Sequence, residues 1–556
     1  MAKEYVNWDP LTVPEYRQAT VGSGTIGGKA KGLLFAREVL ATAGVPALAR
    51  VKVPESLFLG TGLFREQMAC SPGKLCPKLV SAVELVLSRF ECPLAIRSSS
   101  KLEDSLKFSF AGKYLTVFVP NRGTWDERFA QVCSAILAVY DSTFNDAAVQ
   151  YRRKHGLEGE EMAVIVQPLI GEERLGYFYP DVSGVGFSKN YRRWTERIRK
   201  EDGMVRVVFG LGTKCVGRGY ARTFSLTNPW LRPEGFDPYV IARYSQETMD
   251  ALDLTSGELV SFNINRKREL VRCHRNFGDV AQIFSQDAKE LRDVGPGDQP
   301  GPGERYVFTF RKFVERYPEF FSTCRALFKV LEDAMGTPVD IEFVYDLAHR
   351  QFWLVQARPL SAWEENRRVR VPSGLPSERV LLKADRMLTN GQIEGVRHLV
   401  WVDPQAYLNC SQPYAVAREV GEQNEKFANE GYILVGPGRW GSSDPAKGVP
   451  VRYNEINHAR LLVEVGIIER GIIPELSYGT HFFADLDMDR ILYMPVFQGL
   501  SSNVVNWEWF ANRTEWVSPS GVVKVYDGCF DAYLDGEGMV GVVLDSEGTS
   551  NWHSEA

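Results

Sequence analysis

Two apolar runs, Val339-Asp340-Ile341-Glu342-Phe343-Val344-Tyr345 and Phe352-Trp353-Leu354-Val355-Gln356-Ala357-Arg358, constrain the fold more tightly than any other feature of the chain. Each has the two-residue period of a strand, and the short polar stretch between them predicts an antiparallel hairpin. A turn made of the five residues Leu347–Gln351 sets Glu342 opposite Gln356 and Asp340 opposite Arg358. In that register Ile341, Phe343 and Tyr345 share one face with Ala357, Val355 and Trp353, while Asp340, Glu342, Gln356 and Arg358 collect on the other. Opposed side chains stand about 5 Å apart. Asp340, Glu342 and Gln356 can therefore share one divalent cation, and an all-oxygen set suits Mg²⁺ held together with substrate phosphates. The competing reading is a surface hairpin with one ion pair, which would add little stability.

A second cluster lies at the mouth of another short strand. LAIRSSSKLEDSLKFSFAGKY, from Leu94 to Tyr114, changes from apolar to Arg97, Ser98, Ser99, Ser100, Glu103 and Asp104 within a few residues. A guanidinium beside hydroxyls and backbone N–H groups suits a phosphate, and a solvated turn is the alternative. Earlier still, TVGSGTIGGKAKGLLFAREVLATAG reads as a glycine-rich loop entering an amphipathic helix that Gly44 ends. Gly22-x-Gly24-x-x-Gly27 has the spacing of a dinucleotide fingerprint but lacks the firm strand before it and the acid after it. A Walker A loop fails as well, with Ser23 and Ala30 at defining positions. What remains is Gly27-Gly28-Lys29 at a helix N-terminus, where free N–H groups and the helix dipole favour an anion.

Composition narrows the class. The 556 residues are 44% hydrophobic and 24% charged, which suits a globular enzyme of roughly two to four domains. A net charge of −5 argues against a nucleic-acid partner. No apolar run is long enough to span a bilayer, and MAKEYVNWDPLTV is not a signal peptide. Nine cysteines without a C-x-x-C pair suggest reduced thiols, hence a cytoplasmic location. Strands expected at 94–96, 115–119, 162–167, 205–209 and 259–264 alternate with helices at 126–140 and 318–334, giving an α+β or α/β class. Polar, turn-rich sequence near 361–378 marks a boundary, and 380–556 reads as a separate α/β domain.

Taken in order, GGK (27–29), IRSSSKLEDSLKFSFAGKY (96–114), AVIVQPLIG (163–171), SGVGFS (183–188), GLGTKCVGRG (210–219), PVDIEF (338–343) and LVQARPL (354–360) resemble the N-terminal nucleotide-binding region of the phosphoenolpyruvate synthase and pyruvate phosphate dikinase family. The resemblance runs over about residues 20–362 and implies an ATP-grasp-like, two-lobed fold that closes on ATP and Mg²⁺. Within that range it implies a first lobe at 21–230 and a second lobe carrying the hairpin at 231–362; from the residues themselves, 1–20 read as an irregular arm, 363–379 as a linker and 380–556 as the separate C-terminal domain. Carried over by position, Gly27, Gly28, Lys29, Arg97 and Ser98 would hold the ATP phosphates, and Gln167 would lie near the base. Glu342 and Gln356 would bind the metal, with Asp340 and Arg358 supporting the reacting phosphoryl group.

The departures are as informative. Neither the histidine sequence of the family's phosphohistidine domain nor a pyruvate barrel is expected within these residues, and Thr213 follows GLG where the synthases often have an acid. In the C-terminal domain, GPGRWGSS (436–443) gathers glycines, Arg439 and hydroxyls as a candidate second anion loop, or a structural turn. His481 in GTHFF is a candidate phosphoryl acceptor, or a satisfied structural histidine. The expected activity is an Mg²⁺-dependent ATP phosphotransferase acting on a small-molecule acceptor, with neither nucleic acid nor membrane as partner; self-association is left open. An ATP-grasp ligase releasing ADP and a protein that senses ATP without turnover are the alternatives.

Overall fold

The helix Gly27–Thr42 sets the layout of the first half of the chain. Its buried Ala30 and Leu34 pack with Ile26, Phe58 and Ile165 on one face of a five-stranded sheet. That sheet runs in the order Thr20–Val21, Leu57–Leu59, Met162–Pro168, Leu94–Ser100 and Thr116–Val119. Its opposite face carries Leu94, Ile96, Val164 and Val166, which pack against Leu79, Val83, Val86, Ile136 and Val139 of the helices Pro77–Arg89 and Trp125–Asp141. The strand alternation of 94–97 therefore divides Ile96 from Arg97: one faces the core, the other the side where Gly27–Thr42 begins.

A six-stranded sheet follows the order Arg222–Ser225, Met204–Val208, Val182–Phe187, Val339–Asp346, Gln351–Pro359 and Val51–Lys52. Ile341, Phe343, Tyr345, Leu354 and Phe352 point into a core with Phe320, Leu327, Phe328 and Leu331 of the helix Pro318–Met335. The glycines of SGVGFS have a packing reason. A Cβ on Gly184 would sit 2.3 Å from the Phe343 ring and one on Gly186 2.7 Å from Phe328. The 27–42 helix also touches this second sheet, since a Cβ on Gly32 would lie 2.1 Å from the carbonyl oxygen of Ala357. One helix thus abuts both sheets. Two smaller sheets complete this part, one of four strands and one of three.

The structure is a computed structural model that describes every residue except 1, 72, 102–113, 146–147, 150–151, 154–156, 158, 191–192, 217–220, 247, 361–368, 443, 468–485, 487–488, 514–515 and 547–556. The chain divides into one unit of residues 1–190 with 201–361 and another of 191–200 with 362–556. In the second unit the strands Gly391–Val402, Tyr432–Pro437, Ala459–Ile467 and Leu492–Gln498 are parallel neighbours. Val523–Asp535, Val540–Asp545 and Val380–Ala384 extend the same sheet antiparallel.

Three organisational expectations change. Residues 1–20 are not an irregular arm: Ala2–Asn7 and Pro14–Gln18 are helical, with Tyr5 and Tyr16 buried against hydrophobic neighbours. No unit boundary falls at 230/231, because the six-stranded sheet takes strands from both sides of it. The segment 191–200 leaves the first unit for the second, where Arg193 donates to the carbonyl of Glu537 and its own carbonyl accepts from Met387 N–H at 3.1 Å.

Candidate functional site

Gly27 starts its helix at φ +79°, and a Cβ there would fall 1.7 Å from the carbonyl oxygen of Ser99. Only glycine allows that approach. Ser99 Oγ accepts the Ala30 N–H at 3.1 Å and donates to the carbonyl of Ile26 at 2.8 Å, so this hydroxyl fastens the helix start to the strand. Lys29 Nζ donates to Ser98 Oγ at 3.1 Å. The expected Gly27–Gly28–Lys29 start and the Arg97–Ser98 strand mouth are therefore joined.

Arg97, only 8% exposed, reaches across 245 positions of sequence to the hairpin. One nitrogen, Nη2, donates to Glu342 Oε2 and, at 2.6 Å, to Gln356 Oε1. Nη1 donates to the carbonyl of Val355 at 2.8 Å. The register supplies this triad of acceptors. Asp340 pairs with Arg358 and Glu342 with Gln356, as the alternation predicts. Between Glu342 and Phe343 the ladder slips by one residue, and Phe343 then pairs with Leu354 rather than Val355. The turn closes with Asp346 opposite Gln351, one residue tighter than expected. A bulge of this kind leaves one residue out of the ladder. Here it is Val355, and its carbonyl is the one that Arg97 takes.

Burial would raise the pKa of Glu342, but the positive charges of Arg97, Lys29 and Arg358 outweigh it and hold the carboxyl below its usual range. Asp340, expected among the cation's ligands, is clasped by Arg358: Nε lies 2.7 and 2.8 Å from its two oxygens and Nη2 2.7 Å from Oδ2. Glu342 and Gln356 fit a divalent ion better. A single nitrogen touches both of their oxygens, so these converge on one point, as ligands of a small hard cation must. Gln167 pairs with Ala95, two residues along from the Arg97–Ile165 pair and so on the same sheet face, and donates to Ser56 Oγ at 3.3 Å.

Elsewhere the expectations fare differently. Thr213, after GLG, donates to Asp250 Oδ2 at 2.5 Å. The GPGRWGSS loop is not built as an anion nest. The N–H groups of Gly438, Arg439, Trp440 and Gly441 go to Val465 O, Lys447 O, Glu464 Oε1 and Val449 O at 3.0, 2.8, 3.2 and 2.9 Å. Trp440 lies over Gly436, where a Cβ would meet its ring at 2.5 Å. Ser443, Glu103, Asp104 and His481 lie outside the described residues. Among the described residues, Glu172, Asp346 and His349 also bring ligand atoms within 4.8 Å of one another, at the far end of the hairpin from Glu342. Sequence reasoning missed Gly32 and the roles of Ser99, grouped only with the strand-mouth hydroxyls, and of Val355, placed on the apolar face. The first two had a signal in the packed glycines and serines, but a bulge leaves none in an alternating pattern.

On a mixed α/β frame, a guanidinium, a lysine and a glycine-started helix, groups of the kind that suit phosphates, lie by a carboxylate–amide pair of the kind that suits a cation. The family of the pyruvate phosphate dikinase AMP/ATP-binding domain matches residues 67–379, more than half of the chain, and the protein belongs to it. The matched range takes in Arg97 and the hairpin and begins after Lys29. An uncharacterized phosphotransferase of Bacillus subtilis, YvkC, is 24% identical over 275 residues, covering 50% of this chain and 25% of its own length. The phosphoenolpyruvate synthase of Pyrococcus furiosus is 22% identical over 317 residues, 56% of this chain and 32% of its own. The rifampicin phosphotransferase of Streptomyces sviceus is 25% identical over 272 residues, 48% and 23% respectively. The match thus spans a third or less of each of these relatives.

Proposed function

We propose that this protein is an ATP-dependent phosphotransferase of the phosphoenolpyruvate synthase and pyruvate phosphate dikinase type, with an ATP-grasp-like site between the Arg97 strand and the 339–359 hairpin. The observation that carries the reading is the meeting of Arg97 with Glu342 and Gln356 across the sequence. Lys29, Ser98 and the Gly28 amide would hold phosphate oxygens, with Gln167 toward the base; the Gly27 N–H is donated to Thr25 Oγ1 at 3.1 Å. Glu342 and Gln356 would hold Mg²⁺, which neutralises charge on the transferring group. Arg358, fixed by Asp340, would face the phosphoryl group as it moves. The protein's own contribution is positioning and electrostatic stabilisation, since phosphoryl transfer needs little else. The acceptor is a small molecule that the 362–556 unit holds or receives.

The test is nucleotide analysis. Protein, ATP and Mg²⁺ with a mixture of small metabolites should yield AMP if the family's dikinase chemistry holds, or ADP with a phosphorylated product if it acts as a simple kinase. Glu342→Ala should stop either. Equal nucleotide turnover by wild type and Glu342→Ala, or none by either, would refute the assignment.

A further inference from the structure

Arg97 binds the atoms that a cation would need. Its Nη2 contacts Glu342 Oε2 and Gln356 Oε1 together, and Nη1 is anchored on the bulged Val355 carbonyl. A guanidinium has five N–H donors; these three bonds leave the Nε–H and one Nη1–H for other partners. The guanidinium and a divalent ion cannot share that point, because two positive charges would compete for the same lone pairs in a site that Lys29 and Arg358 already make electropositive.

We propose that Arg97 is the resident substitute for the metal: without nucleotide it fills the Glu342–Gln356 oxygen site, and a divalent ion enters only as the guanidinium transfers to the phosphates of the incoming nucleotide. The inference rests on the ATP-site reading above and adds to it an order of events. A triphosphate offers the freed guanidinium a bidentate anionic partner and offers the cation further oxygens. Nucleotide and cation then help each other to bind, and linkage requires the coupling to be reciprocal. A free cation finds the site closed. The three acceptors belong to one hairpin, so the change needs only a rotation of one side chain and no rearrangement of either sheet. Val355 gives the guanidinium a pivot, since the bond to its carbonyl does not involve the oxygens being vacated.

Mn²⁺, followed by its electron paramagnetic resonance signal, tests this in the whole chain. Nucleotide-free wild type should bind Mn²⁺ weakly. Arg97→Met, which removes the competitor, should bind it about five- to 150-fold more tightly, and Arg97→Lys, a single ammonium against three acceptors, should fall between. With a non-hydrolysable ATP analogue the order should reverse, because the variants lack the phosphate contact. Equal Mn²⁺ affinity of wild type and both Arg97 variants without nucleotide would overturn the proposal. So would loss of folding in both variants by circular dichroism, since the guanidinium would then be a fixed strut. Glu342→Gln separates the two layers. If it binds Mn²⁺ with the analogue as tightly as wild type, the ATP-site reading itself fails; if it loses that binding while the Arg97 variants match wild type, only the substitution by Arg97 fails.

Discussion

Gly32→Ala sets two opposing effects against each other at the point where the 27–42 helix meets the second sheet. In a helix interior, alanine is favoured over glycine by about 1 kcal/mol. The added methyl, however, would lie 2.1 Å from the carbonyl oxygen of Ala357, whereas a separation under 3.0 Å forces something to shift. The blocking atom is backbone, so the helix and strand must part by roughly 1 Å, at an overpacking cost of about 1–3 kcal/mol. The two effects nearly offset, and the protein should lose about 0–2 kcal/mol, a few degrees of melting temperature at most. The site should suffer far more. Ala357 lies between Gln356 and Arg358, and a misplacement of about 1 Å costs on the order of 100-fold in rate. Calorimetric melting beside titration with Mg²⁺ and a non-hydrolysable ATP analogue reads both quantities on one sample. A folded Gly32→Ala protein with a raised melting point and wild-type nucleotide binding would refute the packing argument and the link from helix to site.

Other outcomes follow from the same geometry. Because the Glu342 carboxyl is held below the unfolded value of about 4.3, its stabilising effect is present above that pH and is lost as pH falls through the folded value. The side chain is 34% exposed, so screening limits the effect to about 1 kcal/mol. The urea stability of wild type minus Glu342→Gln should be flat from neutrality to about pH 4.5 and shrink below it; a difference that grows on acidification would contradict the charge assignment. In the native protein a thiol reagent should label exposed Cys273 quickly and spare Cys215, whose thiol burial pushes up to about 12, and Cys324, pushed up in the same way; peptide mapping checks the order. If His481 is a covalent acceptor, intact mass after incubation with ATP should show one phosphoryl group on wild type and none on His481→Ala; equal addition to both would remove His481 from the chemistry.

Alternation made part of the hairpin legible: it sets Asp340 against Arg358 and Glu342 against Gln356, but Val355 and Trp353, expected on the apolar face, yield that place to Leu354 and Phe352. The slip at Phe343 was not legible, because a bulge changes no residue type and only moves the partner. The long helices at 125–141 and 318–335 showed through their apolar period. Residues 1–20 did not: their helices have five or six residues, too short to carry a period, and Tyr5 and Tyr16 are buried by tertiary packing rather than by local pattern. The glycines of GPGRWGSS left two readings open, an anion loop or a structural turn. Glycine marks close backbone approach, and nothing in the string says whether a phosphate or, as here, Lys447 and Trp440 does the approaching. Alternation likewise set Asp340 against Arg358, and the guanidinium takes both of its oxygens, which residue types alone left open between an ion pair and a cation ligand.

Crystals grown with Mn²⁺ and a non-hydrolysable ATP analogue would test the central claim most directly, through the anomalous difference map. A manganese peak should lie within coordination distance, about 2.0–2.5 Å, of Glu342 and Gln356, with the phosphate chain running between it and the Gly27–Lys29 helix start. A peak elsewhere, or a nucleotide that leaves Arg97, Glu342 and Gln356 bonded only to one another, would contradict it.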